Sequence, residues 1–91
     1  MRSITTFTPK NISVTSNVCA ADGIMAGVFC SSSSSGTLAI YDDAATGTTT
    51  KIVDTFNLVA GTWYPLPFAV ANGIYCVIGG TASITVGYVR G

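Results

Sequence analysis

Apolar and polar residues alternate with a period of two along much of this chain, which is the signature of half-buried strands. Ile12, Val14 and Val18 fall on one side of an extended segment, with Ser13, Thr15 and Asn17 on the other. Leu38 and Ile40 repeat the pattern, and Ile84, Val86 and Tyr88 alternate with Ser83, Thr85 and Gly87. No 3.6-residue apolar period competes with it, so no helix is predicted. Asp22-Gly23 and Gly79-Gly80 are dipeptides that tolerate the positive φ of tight hairpins, and each is read as a hairpin turn. Ala60-Gly61 and Asn72-Gly73 supply further turns, while Ser31–Ser35 and Asp42–Thr50 read as loops. The pattern predicts eight strands, at 2–8, 11–20, 24–30, 37–42, 51–58, 62–68, 74–78 and 82–89. Short strands at this spacing predict a small antiparallel β-sandwich of jelly-roll type. Residues 1–10 are read as an extended N-terminal arm of a single domain spanning 1–91.

Two stretches say more than "strand". Pro65 and Pro67, two apart in Trp63-Tyr64-Pro65-Leu66-Pro67-Phe68, remove donors from the same side of an extended segment and place it at a sheet edge. Ile74-Tyr75-Cys76-Val77-Ile78 is apolar on both faces, which requires cover on both. The second cover is either a neighbouring subunit or a loop of the same chain.

Composition reinforces the β reading. Thr, Val and Ile supply 30 of the 91 residues, while Glu and Gln are absent and Leu occurs three times, so strand formers dominate and helix formers are scarce. A chain of this size has room for one core and keeps roughly 5,000 Å² exposed. Only Arg2, Lys10, Asp22, Asp42, Asp43, Lys51, Asp54 and Arg90 are charged, and the net charge is zero. Such a surface favours association. Four scattered basic residues make no stripe for nucleic-acid phosphates, and no apolar run approaches the roughly 20 residues of a membrane-crossing helix. Neither nucleic acid nor membrane is expected as a partner, and the absence of a signal-like N-terminal region predicts a soluble, non-secreted product.

Catalytic chemistry is poorly served. The chain has no His and no Glu, the usual sources of general acid and base near neutral pH, so no enzyme and no cofactor are expected. Cys19, Cys30 and Cys76 sit in apolar surroundings without C-x-x-C spacing and read as small buried hydrophobes. Asp42-Asp43 is the one suggestive carboxylate pair; it serves either a calcium ion or, more commonly, the capping of a turn. Trp63, Tyr64, Tyr41 and Tyr75 raise an alternative class, a lectin-like module stacking sugars on aromatic rings, against which stands the commoner use of aromatics in cores and interfaces.

A resemblance narrows the association reading. Ser35-Gly36-Thr37-Leu38-Ala39-Ile40-Tyr41-Asp42, Lys51 to Phe56, Gly61-Thr62-Trp63-Tyr64-Pro65-Leu66-Pro67-Phe68, Ala71 to Tyr75 and Ile78-Gly79-Gly80-Thr81-Ala82 together resemble small virion proteins of tailed bacteriophages, over about residues 35–88. The similarity is to short β-sandwich or jelly-roll head decoration or cement proteins. It implies a non-enzymatic protein of the virion's capsid surface, assembled in the host cytoplasm, often trimeric, that ties major capsid protein subunits together, with a tail or neck component as its near relative. The contact residues expected from the chain's own pattern lie in the N-terminal segment, at Arg2, Ile4 and Phe7, in the proline-bearing edge, at Trp63, Tyr64, Pro65, Leu66, Pro67 and Phe68, and in the doubly apolar strand, at Tyr75 and Val77.

Overall fold

The structure is a computed structural model and describes residues 7–90. Six strands make one antiparallel sheet: β1 (Thr8–Ile12), β2 (Ser16–Cys19), β3 (Gly23–Tyr41), β4 (Lys51–Asn57), β5 (Thr62–Val70) and β6 (Ile74–Arg90). The described residues contain no helix.

The spine is β3 against β6, paired from Gly23 opposite Arg90 to Tyr41 opposite Tyr75. Each of these strands has two different neighbours on its far side. β5 pairs with β3 over Gly23–Cys30 and β4 over Thr37–Tyr41. β1 pairs with β6 over Ile84–Tyr88, and β2 pairs near Ile74–Cys76. The sheet therefore has two four-stranded halves that share the spine, β5-β3-β6-β1 and β4-β3-β6-β2.

A straight strand of nineteen residues would run about 60 Å, longer than the 44 Å long axis of the molecule. Hence the spine bends. The ladder slips between Cys30 and Ser32 and again between Ser34 and Thr37, and Ser35 (φ 55°) and Gly80 (φ 68°) are left-handed across from each other. At Gly80 a β-carbon would strike the carbonyl of Ser35, so only glycine lets the two strands turn together there. Ser33 Oγ accepts the Gly36 N–H at 3.1 Å and Ser31 Oγ donates to the Ser83 carbonyl at 3.1 Å, giving the bend's polar groups partners.

Both halves contribute to one hydrophobic core. Met25, Val28, Ile84 and Val86 from one, and Leu38, Ile40, Ile74 and Cys76 from the other, are fully buried in a single cluster, the large aliphatic side chains contributing about 1.5–3 kcal/mol each. A slip between Met25 and Gly27 changes the alternation phase, so that Met25 and Val28 both point inward. The accessible surface, 4977 Å², is that of a compact monomer of this mass.

Several expectations are corrected. The described residues hold six strands rather than the expected eight: 24–30 and 37–42 are one strand, as are 74–78 and 82–89. Ser31–Ser35 is strand rather than loop, and Gly79-Gly80 is a bend inside β6 rather than a hairpin turn, since backbone pairing with the partner strand carries both through. Asp22-Gly23 is not a hairpin either, because β2 pairs with β6 and leaves β3 alone. The 11–20 strand breaks at 13–15, where Val14 is exposed. The proposed strand at 2–8 lies largely outside the described residues. Pro65 and Pro67 do lie at an edge, in a strand paired to β3 alone.

Candidate interaction surface

On the half that contains β5, the sheet's outward side is open and apolar. Phe29 stands directly across from Trp63, and Ile24 lies between Val89 on β6 and Ala69 on β5. Ile24 is 52% exposed, Trp63 49%, Phe29 40%, and Phe7, entering β1, 39%. Their spacing is set by two glycines paired across the spine, Gly27 and Gly87. A β-carbon on Gly27 would come within 2.8 Å of Trp63 Cζ2, and one on Gly87 would lie 3.6 Å from Phe7 Cβ. The Trp63 ring thus lies against the Gly27 backbone, an aromatic-over-glycine arrangement of the kind that compensates a glycine in a sheet.

This surface carries no charge at Phe7, Ile24, Phe29, Trp63, Pro65 or Val89. Lys10 and Arg90, the nearest charges in register, sit opposite Val86 and Gly23, on the alternate phase from Gly87 and Val89. The remaining described charges belong to turns and the opposite half. Lys51 and Asp54 pair at 3.0 Å on β4, with the Lys51 ammonium 5.9 Å from the Tyr41 ring centroid.

The residues singled out by sequence scatter over three environments. Phe7, Trp63 and Pro65 are exposed on or beside the open face, and Pro67 and Phe68 are exposed farther along β5. Tyr64 and Leu66 pack against the core instead. The Tyr64 ring meets Phe56 edge-on at 5.1 Å, and its hydroxyl accepts the Val59 N–H at 2.9 Å. Tyr75 and Val77 are half-buried on the other half, where Tyr75 tilts against Tyr41 at 6.3 Å. Opposite Tyr75, the Asn17 carboxamide donates to the carbonyls of Asp43 and Ala45, which ties the 42–50 loop beside that strand. For Tyr75 the neighbouring cover comes from the same chain. Arg2 and Ile4 lie outside the described residues.

Sequence reasoning missed Ile24 and Phe29. The signal was present: Ile24-Met25-Ala26-Gly27-Val28-Phe29-Cys30 has no polar residue in either phase, as in Ile74–Ile78. Here the second apolar phase stays uncovered.

The carboxylate pair is used by turns. Asp42 accepts N–H bonds from Ala71 (3.0 Å), Asn72 (2.8 Å) and Gly73 (3.2 Å), joining the β3 end to the crossover from β5 to β6. Desolvation pushes its pKa up, but those three N–H groups outweigh it and leave the carboxyl below its ordinary value. Asp43 Oδ1 accepts the Ala45 N–H at 2.7 Å. Among the described residues no three His, Cys, Asp or Glu side chains stand together, and no pocket opens. The three cysteines are free and buried, and burial pushes the Cys76 thiol up to about 12.

No family model, curated protein or solved structure matches this chain. Its function is therefore argued from its surface.

Proposed function

We propose that this chain is a non-enzymatic structural protein that decorates and stabilises a tailed-phage capsid by bridging major capsid protein subunits, its two half-sheets packed as a small sandwich. The observation that carries the reading is the uncharged apolar face of Ile24, Phe29, Trp63 and Phe7 on a domain this small. Exposed apolar patches of this kind mark protein contact sites. The β5 margin beside that face, where Pro67 is exposed and Phe68, across from the inward-facing Met25, is exposed on the opposite phase from Trp63, is the part that reaches the shell, together with the segment that begins at Arg2. On a closed shell many weak contacts of this sort add through multivalency.

Co-sedimentation with expanded, undecorated capsids of a tailed phage tests this. Saturable binding, weakened by Phe68→Ala together with Pro67→Ser, is expected. No binding to any shell at tens of micromolar protein, roughly the range of weak protein contacts, would sink the proposal.

Trp63 beside Phe29 also favours a second reading, a carbohydrate-binding module stacking a sugar ring. It ranks lower because Asn11, whose side-chain amide could flank such a ring, is already donating to Ser83, Ile84 and Thr85. Retention on a glycan array, abolished by Trp63→Ala, would reverse that order.

A further inference from the structure

We infer that the open face of Ile24, Phe29, Trp63 and Phe7 is covered by a second copy of this chain, face to face about a two-fold axis. The inference rests on the proposed function only in treating this face as an assembly surface. Three observations select the occupant.

The edges do not offer an alternative. Pro9 on β1 and Pro65 and Pro67 on β5 withhold the donors that strand-to-strand association needs, while β4 carries the Lys51–Asp54 pair and β2 has four residues. Association therefore falls to the face. Charge comes second. In a two-fold contact each group meets the same surface on its partner, so a charged patch repels itself; here Ile24, Phe29, Trp63 and Phe7 meet only neutral groups. A foreign partner is normally selected and steered by complementary charge, and among the described residues this face has none to offer.

Area is the third. Four strands at sheet spacing, each about six residues long, present a face of about 19 by 20 Å, or about 400 Å² per copy. Specific contacts use about 800 Å² per partner, and weak ones fall below about 600. The expected product is a weak dimer, with dissociation in the micromolar range. Such a dimer carries two β5 margins, so each decorating unit holds two shell subunits at once, which supplies the bridging that decoration requires.

Light scattering of the full chain from about 1 to about 200 µM, spanning that range, is expected to show the mass rise from 9.3 kDa towards twice that value. Over the same series the emission of Trp63, the single tryptophan, should shift to the blue as its ring leaves water. Ile24→Lys and Phe29→Lys should each hold the protein at monomer mass with an unchanged far-UV spectrum. Val14→Lys and Val59→Lys, at apolar residues 66% and 60% exposed away from this face, should leave the dimer intact. A wild-type monomer at every concentration overturns the inference, as does a trimer, or a dimer that neither face variant disturbs. A wild-type monomer that still sediments with shells overturns this inference while leaving decoration standing. A dimer that responds to the face variants but never sediments does the reverse.

Discussion

The Asp42 carboxylate and the backbone N–H of Asn72 lie 2.8 Å apart across thirty positions of sequence. With the bonds from Ala71 and Gly73, this contact holds the crossover by which the chain leaves the edge strand β5 and re-enters the spine as β6. Asp42→Ala leaves three backbone donors without their acceptor. It is expected to destabilise the fold by about 1–2 kcal/mol, a fall in thermal midpoint of roughly 4–16 °C for a domain this size, checked by circular dichroism melting.

The same carboxylate sets an acid limit. Its folded-state pKa is held below the ordinary 3.8 by the three N–H groups, which outweigh desolvation. Stability from a depressed carboxylate is present above the unfolded pKa and disappears as pH falls through the folded one. Melting temperature should hold steady down to about pH 4 and then fall, more shallowly in Asp42→Asn. Asp54, lowered by its bond to Lys51 and then by the Thr55 N–H, titrates in the same direction and leaves the variant a residual slope. A variant as acid-sensitive as wild type would contradict this account.

Gly27 is held small by its neighbours. A β-carbon there meets the Tyr64 carbonyl and lies 2.8 Å from Trp63 Cζ2. Gly27→Ala is expected to cost about 1–3 kcal/mol through overpacking and to lift the Trp63 indole into water, visible as a red shift in tryptophan emission.

Tyr64 anchors the short turn that carries the chain from β4 to β5. Its hydroxyl accepts the Val59 N–H at 2.9 Å, while Gly61 N–H reaches the Cys30 carbonyl at 2.7 Å. Tyr64→Phe keeps the ring against Phe56 but removes that acceptor. A loss of about 0.5–1.5 kcal/mol, with faster hydrogen exchange at Val59, is the expected result.

Cys19, Cys30 and Cys76 are buried, and thiolate is the reactive form of the side chain. With burial pushing Cys76 up to about 12, a neutral-pH thiol reagent should leave Cys76 unlabelled in the native protein and modify it on unfolding in denaturant. Rapid labelling of Cys76 in the native state would place it elsewhere than the core.

Much of this organisation is legible in particular residues. Alternation at Ile84, Val86 and Tyr88 identified the inward side of β6, and Leu38 and Ile40 did so for β3, because a pleated strand must put successive side chains on opposite sides. Pro65 and Pro67 identified an edge, because proline has no N–H for a second neighbour. The serine run and Gly79-Gly80 were misread for a local reason. Polar and glycine-rich segments usually leave a sheet, and only the partner strand opposite, bent at the same level, keeps these two in it. The interaction surface was half legible: Phe7, Trp63 and Pro65 stand on or beside it, but Tyr64 and Leu66 occupy the inward phase, and Ile24 and Phe29 were hidden in a stretch that looks like core.

By itself the sequence determined that this protein is all-β, charge-poor and without His or Glu, since strand propensity, alternation and side-chain inventory are properties of single residues and their near neighbours. Tertiary structure alone decided that 24–30 runs on into 37–42 and 74–78 into 82–89, that Asp42 serves a turn thirty positions away, and which apolar face stays open. The physical reason is that alternation separates two faces of a strand but leaves unspecified which face another layer covers. That depends on where the spine bends and on which strands the bend brings together.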